Sequence, residues 1–187
     1  AEWYGSGRVP TDYIEQPYKI VLTFSDESKF EQLCNGQLWN LYRGTSVGPY
    51  SLQSALMALE KCLLEMAEFY SKDLDKVLIS ILQGSRSVAV TAVVASIATA
   101  CPHDCVETLL VFLRSPECIH LDRNRMVSDL HMPSDMSAIL PSLSQDKTYD
   151  NERKESNRLP HRSRQLENAI LNLQLGPSAE RVQKILD

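Results

Sequence analysis

Residues 87–100 read SVAVTAVVASIATA, and this stretch decides the fold class. Apolar and small residues fill nearly all of it, so a helix here would have no polar face. Such a helix is buried, and its small residues let neighbouring helices approach closely. The β-branched residues would also suit a strand, but the run is longer than a typical strand. The stretch therefore predicts a buried central helix that ends before Pro102.

A second apolar pattern precedes the central helix, over residues 49–70. Its apolar residues recur at three- and four-residue spacings and form one stripe, which consists of Leu52, Ala55, Leu56, Leu59, Leu63, Met66, Ala67 and Tyr70. The charged residues lie largely off this stripe, namely Glu60, Lys61, Glu65 and Glu68. This spacing is typical of an amphipathic helix that buries one face, so it predicts a long helix beside the central one.

Local start and stop signals predict shorter helices. Gly84 is placed to end one helix, and the Asp104-x-x-Glu107 pattern is placed to cap the start of another. Ser115-Pro116 offers an N-cap followed by proline in the first turn of a further helix. Two more helices follow at the end of the chain. The sequence therefore predicts a mainly α fold of stacked short helices, either HEAT- or armadillo-like or an irregular α-bundle.

The first part of the chain predicts a small β structure. In residues 18–24, one set of side chains (Tyr18, Ile20, Leu22 and Phe24) alternates with another (Lys19, Val21 and Thr23). This alternation, together with the β-branched and aromatic residues, is typical of a strand. Residues 25–28 read SDES and predict a turn, after which a second strand can return antiparallel. Residues 37–42 allow a short third strand or a helical turn. We expect the face that carries Ile20 and Leu22 to pack on the helices.

Composition divides the chain into four parts. We expect a hairpin and loop appendage over residues 1–48, a helical core over 49–140, and the C-terminal helices of the same array over 159–187. Between the last two, residues 141–158 carry mixed charge and almost no large apolar side chain. Such a composition predicts a flexible polar linker.

The overall composition argues against several classes of protein. The 187 residues carry a net charge of −5, which argues against the broad basic surface of a nucleic-acid-binding protein. The longest apolar run is too short for a membrane span, which needs about 20 residues. Five cysteines are scattered along the chain, which favours reduced thiols and a cytoplasmic protein.

The two ends predict an excerpt from a longer polypeptide. The chain starts at Ala1 without a methionine, and two large aromatic residues follow almost at once. Residues 182–187 still carry a helical pattern. The alternative is a trimmed protein that acts alone.

One set of metal-binding residue types lies near the middle of the chain and consists of Cys101, His103, Cys105, Cys118 and His120. Thiolate and imidazole are ligands that tetrahedral Zn²⁺ prefers. The spacing departs from the paired two-residue gaps of common zinc sites. The alternative is buried apolar cysteines beside a histidine at a helix end, and we favour this alternative over zinc.

One concentration of basic residues lies near the end of the chain and consists of Arg158, His161, Arg162 and Arg164. It allows an interaction site for nucleic acid or for an acidic partner surface, and neighbouring glutamates dilute its positive charge. Three further arginines could hold phosphates or pair with carboxylates, namely Arg43, Arg123 and Arg125. They are expected on a solvated face, where Asp122 favours local ion pairs.

No catalytic or cofactor-binding residue is predicted. Residues 44–48 contain two glycines before a helix but lack the lysine of a phosphate-binding loop. Cys105 has His103 close in sequence, but chance placement explains this pair better than a nucleophile with its base.

Six stretches of the sequence resemble a region of very large bacterial P-loop ATPases of the STAND (NACHT-like) type, which are associated with antiviral defence. They are residues 38–50, 53–60, 87–96, 121–127, 159–162 and 173–177. The resemblance spans residues 2–187. It implies a helical segment on the C-terminal side of the ATPase core that links nucleotide state to target sensing or assembly.

The family's catalytic residues do not carry over to this chain. No Walker A lysine, Walker B carboxylate or sensor arginine maps onto it, so the resemblance implies that ATP and Mg²⁺ bind elsewhere in a parent protein. The implied partners are other domains of a larger chain, other proteins or further copies in a homo-oligomer, and not a membrane. Two other hypotheses are a stand-alone HEAT- or armadillo-like interaction module and, less favoured, a zinc-stabilised helical module.

Overall fold

The structure, a computed structural model, describes residues 16–44, 48–131 and 147–187. It contains an antiparallel hairpin of strands β1 (Tyr18–Thr23) and β2 (Lys29–Cys34). The helices are α1 (Gly36–Asn40), α2 (Tyr50–Phe69), α3 (Ser71–Gly84), α4 (Val88–Ala100), α5 (Val106–Leu113), α6 (Pro116–His131), α7 (Lys147–Asn157), α8 (Leu166–Gln174) and α9 (Ala179–Leu186). Two 3₁₀ segments cover Leu41–Arg43 and Pro160–Ser163. The predicted mainly α fold with a small β-hairpin is confirmed.

Helix α4 is the centre of the fold. Eleven of its thirteen residues are buried, as its lack of a polar face predicts. Helices α1, α2, α3, α5 and α8 all contact it. Helices that surround one buried helix form a bundle, so the structure favours the irregular α-bundle over the linear stack. No helix within the described residues is long and apolar enough to cross a membrane.

The hairpin packs on this bundle as expected. The side chains of Ile20, Leu22 and Phe24 are buried in the same apolar cluster as α4. Gln32 of β2 is buried too, and its amide donates to the backbone oxygen of Ser85 at 3.1 Å and accepts the Thr91 hydroxyl at 2.6 Å. The hairpin is therefore joined to α4 by a satisfied polar contact as well as by apolar packing.

The predicted linker over residues 141–158 is wrong for its second part, because Lys147–Asn157 form helix α7. This helix lacks an apolar stripe, so a search for apolar periodicity overlooks it. Its contacts are polar: Arg153 donates to the Gly44 oxygen at 3.2 Å, and the Asn157 amide donates to the Arg43 oxygen at 3.2 Å.

Other predictions fall partly beyond the described structure. Residues 1–15 and 45–47 of the expected appendage and residues 132–146, which include the start of the linker, lie outside the described residues. Of the two alternatives for residues 37–42, the helical one is correct, because they lie in α1 and the 3₁₀ segment that follows it.

The face of α2 that packs on the core differs in part from the apolar stripe predicted from the sequence. The residues that it buries include Gln53, Glu60 and Leu63. Leu52 and Tyr70, which the stripe assigns to the buried face, are 44% and 68% exposed. The prediction is correct for Leu56 and Leu63, which are buried, and wrong for Leu52, Ala55 and Tyr70. The buried face is shifted around the helix to include Glu60, which has ionic partners in the interior.

Helix α5 is capped by a side chain from another helix. The Asp104-x-x-Glu107 pattern does not provide the cap, since the helix begins after Cys105 without a side-chain cap bond. Instead, the Asp75 carboxylate of α3 accepts the backbone N–H groups of Glu107 at 2.8 Å and Thr108 at 2.9 Å. It also accepts the Thr108 hydroxyl at 2.6 Å. A carboxylate at a helix N-terminus satisfies donors that the helix itself cannot pair.

We expect Asp75→Ala to lower the free energy of unfolding by about 1–2 kcal/mol, because it removes this cap. Urea denaturation followed by circular dichroism measures the change. The matched control is Asp73→Ala in the same helix, whose carboxylate is 68% exposed and 3.7 Å from Lys76. An equal effect of the two substitutions would contradict the capping role.

Candidate functional site

The most unusual feature of the interior is a set of charged side chains, which we call the buried charge network. It consists of Arg43, Glu60, Asp122, Arg125, Asp129, His161 and Arg162. Glu60 is 1% exposed, and Arg125 and Arg162 are each 2% exposed. Charged residues are almost never fully buried unless they are paired, so this set is the candidate functional site.

Glu60 lies at one end of the network, on the buried side of α2. Its Oε1 accepts the Ser96 hydroxyl of α4 at 2.6 Å and lies 3.1 Å from Nε2 of His161. Its Oε2 accepts Nε of Arg162 at 3.0 Å and also accepts Nη2 of the same guanidinium. Since Glu60 is ionised, the His161 ring donates from Nε2.

Arg162 makes further contacts on the side away from Glu60. Its Nη1 donates to the Asn157 side-chain oxygen at 2.7 Å, and its Nη2 donates to the Tyr42 backbone oxygen at 3.3 Å. The guanidinium carbon lies 5.1 Å from the centre of the Tyr42 ring, which adds a cation–π contact. The short Pro160–Ser163 segment thus places both His161 and Arg162 against α2.

Arg125 of α6 forms the other end of the network. Its Nε donates to Asp122 at 2.8 Å and its Nη1 donates to Asp129 at 2.8 Å. Its Nη1 also donates to the backbone oxygen of Arg162 at 3.0 Å, and its Nη2 donates to that of Arg164 at 2.7 Å. Asp122 in turn accepts the Leu166 N–H at 2.7 Å and so caps the start of α8.

Arg43 joins the two ends. Its Nη2 lies 2.9 Å from Asp129, and its Nη1 donates to the backbone oxygen of Arg162 at 3.3 Å. Its buried Nε has no hydrogen-bond partner. Burial lowers the pKa of Arg43, although Asp129 acts in the opposite direction.

The guanidinium groups and carboxylates of the network are equal in number, since Arg43, Arg125 and Arg162 face Glu60, Asp122 and Asp129. Burial alone would raise the pKa of Glu60, but hydrogen bonds from His161 and Arg162 outweigh burial and lower this pKa to about 2. A carboxylate that is ionised throughout the physiological range and fully paired cannot serve as a general acid or base near neutral pH. The arrangement can hold the segments that carry these residues together.

The pKa of Glu60 predicts an acid-dependent loss of stability. A carboxyl whose folded pKa is depressed stabilises the fold above its unfolded pKa, which is about 4.5, and loses that contribution as the pH falls towards the folded value of about 2. We expect Glu60 to contribute a loss of about 2 kcal/mol in the free energy of unfolding between pH 7 and pH 3. Urea denaturation over this pH range measures the loss.

The control for this pH dependence is the Glu60→Gln variant, which has no carboxyl at this position. We expect its free energy of unfolding to change less steeply over the same pH range. A parallel pH dependence in the variant and the unsubstituted chain would contradict the assignment to Glu60.

The structure separates the four residues of the predicted basic interaction site into two exposed and two buried ones. Arg158 and Arg164 are exposed. His161 and Arg162 are buried, 7% and 2% exposed, and both contact Glu60. They therefore cannot form a surface for an acidic partner, because their partner is already inside the fold. The sequence shows four basic residues but not Glu60, the carboxylate that His161 and Arg162 contact.

The candidate zinc ligands do not come together. Within the described residues, no group of three or more histidine, cysteine, aspartate or glutamate side chains is placed to hold a metal ion. Cys105 and Cys118 are buried, whereas His103 and His120 are exposed. Burial raises the pKa of both buried thiols above the ordinary value, which favours the neutral thiol over a thiolate ligand or nucleophile. These cysteines act as small apolar core residues.

Sequence reasoning missed Glu60 and Arg125. Arg125 was expected on a solvated face, and the structure instead buries it with Asp122. A usable signal existed for Glu60, because Gln53, Leu56, Glu60 and Leu63 follow one another at helical spacing. Because Gln53 and Glu60 are polar, a search based on apolar residues alone does not identify this row as a buried face.

No family model matches this sequence, and a comparison with curated proteins finds no relative.

Proposed function

We propose that the chain is a non-catalytic helical scaffold that relays conformational change within a large STAND-type ATPase of bacterial antiviral defence. The parent protein would be cytoplasmic and would bind ATP and Mg²⁺ outside these residues. The partners of the chain would be other domains of that protein. The family assignment rests on the six stretches of resemblance given above.

The observation that carries the relay is the reach of the buried charge network. It joins Tyr42 and Arg43 near the start of the fold, Glu60 in α2, Arg125 in α6 and Arg162 near the end. A buried ion pair contributes little net stability over apolar packing, but it requires one arrangement of its partners. A displacement of any one segment would therefore have to move the others or break buried ion pairs. This is the physical requirement for an element with discrete states.

The parent protein is tested first. An immunoblot of source cells with an antibody to this chain is expected to show a band far above 21.1 kDa. The 187-residue chain is expected to fold and to hydrolyse no ATP. A native band near 21.1 kDa would contradict the ATPase parent and favour the stand-alone interaction module. Mg²⁺-dependent turnover that co-purifies with the chain would contradict the non-catalytic role.

The relay itself is tested in the parent protein. The double substitution Glu60→Leu with Arg162→Met replaces the ion pair by apolar side chains of similar size. We expect ATP binding to persist while stimulation of ATP hydrolysis by the activating target falls. The matched control is Glu65→Leu, which changes an exposed carboxylate in the same helix. Unchanged stimulation in the double variant would contradict the relay.

A further inference from the structure

Helix α2 carries a second apolar row, and the described part of the chain leaves four of its six residues exposed. We call this row the outer seam, and it consists of Leu52, Ala55, Leu59, Cys62, Met66 and Phe69. The spacings alternate between three and four residues through five steps, which is the heptad pattern of a helix that pairs with another helix. At about 1.5 Å per residue, the row runs along roughly 25 Å of the helix.

The outer seam is largely accessible. Phe69 is 71% exposed and Leu52 is 44% exposed. Ala55 and Cys62 are exposed as well, while Leu59 and Met66 are half-buried at the edge of the core. The seam exists because α2 turns the row of Gln53, Leu56, Glu60 and Leu63 inward to reach the buried charge network. The burial of Glu60 therefore leaves Leu52, Ala55 and Tyr70 of the predicted apolar stripe exposed.

The order of residues in the seam points to its occupant. We propose that the outer seam binds the same seam of a second copy of this chain, with the two α2 helices antiparallel. The pattern is symmetric about its own centre, so an antiparallel copy brings every seam residue opposite another seam residue. Leu52 meets Phe69 of the second copy, Ala55 meets Met66, and Leu59 meets Cys62. In antiparallel helix pairs, positions of the two heptad types pack against each other in this way.

The side-chain volumes favour the antiparallel arrangement. Each pair other than Leu52 with Phe69 sets a larger side chain against a smaller one, and such pairs fill the space between helices evenly. A parallel arrangement would instead place Ala55 on Ala55, which leaves a void, and Phe69 on Phe69, which overfills one layer.

The charges beside the seam also fit an antiparallel copy. On the flank next to the seam, Glu65 comes opposite Ala58 of the second copy. No like charges therefore meet across the pair. Lys61 and Glu68 lie on the far edge of the exposed side, where they remain in water. This inference uses the surface of α2 alone and does not rest on the proposed function.

The mass of the 187-residue chain tests the proposal. Sedimentation velocity at micromolar concentrations is expected to give a species of twice 21.1 kDa. Ala55→Glu places a charge in the seam at an exposed position, so that it spares the folded monomer. We expect it to raise the dissociation constant by about a hundredfold or more, because each copy then buries an unpaired carboxylate. The control is Ser54→Glu, one residue away on the polar edge, which is expected to leave the dimer unchanged.

Cysteine cross-linking tests the orientation. In a Cys62→Ser background, copies with Leu52→Cys are mixed with copies that carry Phe69→Cys, and a bismaleimide reagent is added. Antiparallel seams give the mixed product in excess over either self-linked product, whereas parallel seams give the self-linked products. Half-buried Cys101 is present in all samples and supplies the same background in each.

Three outcomes would overturn the proposal. They are a monomer at all concentrations, a dimer that Ala55→Glu does not weaken, and self-linked products in excess. A monomer in which maleimide does not reach Cys62 would mean that other residues of the same chain cover the seam. Circular dichroism verifies that each variant folds, and Phe69→Ser replaces Ala55→Glu if that variant does not.

Discussion

Replacement of Glu60 by alanine is expected to lower the free energy of unfolding by about 3–5 kcal/mol. The substitution leaves the Arg162 guanidinium buried without its carboxylate, and the Ser96 hydroxyl and the His161 ring lose their acceptor as well. An uncompensated buried charge is far more costly than the loss of the few apolar contacts of a glutamate stem. Urea denaturation at neutral pH, followed by circular dichroism, measures the difference.

Two further variants separate the charge from the packing. Glu65→Ala removes an exposed carboxylate from the same helix and is expected to change stability by less than about 0.5 kcal/mol. Glu60→Leu combined with Arg162→Met removes both charges, and we expect this double variant to be more stable than Glu60→Ala. A double variant that is less stable than Glu60→Ala would show that the ion pair itself, and not the unpaired charge, dominates the free energy of unfolding.

Much of the fold follows from apolar periodicity. Helix α4 and its position in the core could both be predicted, because a thirteen-residue helix without a polar face is buried. The hairpin could be predicted from alternation and the turn at residues 25–28. In both cases the sequence signal is local, since the pattern of neighbouring residues alone determines which side chains must be buried.

The buried charge network could not be predicted in the same way. Arg162 is 102 residues from Glu60, and no periodic pattern links the two. Each residue looks like an ordinary surface charge within its own segment, and only the tertiary fold brings them together. The same limit explains why the basic run at residues 158–164 was assigned to the surface as a whole.

The orientation of α2 shows how an error in the predicted buried face arises from long-range contacts that the sequence pattern does not reveal. The apolar residues of this helix extend over more of its circumference than one core face can cover. Its apolar pattern alone favours burial of Leu52 and Ala55, but the contacts of Glu60 with Arg162, His161 and Ser96 rotate the helix away from them. The error in the predicted face and the exposed outer seam thus have one cause.

Arg125→Ala is expected to have an effect of similar size to that of Glu60→Ala, about 3–5 kcal/mol in the free energy of unfolding. The substitution leaves Asp122 buried without its cation, and it releases the backbone oxygens of Arg162 and Arg164. Because Asp122 also accepts the Leu166 N–H, the start of α8 should loosen with it. We therefore expect faster hydrogen exchange in α8 than in α4, measured by mass spectrometry on the folded variant.

Two matched substitutions determine whether the geometry of Arg125 matters beyond its charge. Arg125→Lys keeps the charge but lacks the planar fork that contacts Asp122, Asp129 and two carbonyls at once, so we expect it to recover only a small part of the loss. Arg123→Ala removes an exposed arginine that pairs with Glu167 at 2.9 Å, and such a surface pair contributes about 0–1 kcal/mol. Full recovery by lysine would mean that charge balance alone holds this part of the fold. Failure of lysine, together with faster exchange confined to α8, would mean that the several simultaneous bonds of one guanidinium position the last helices on the core.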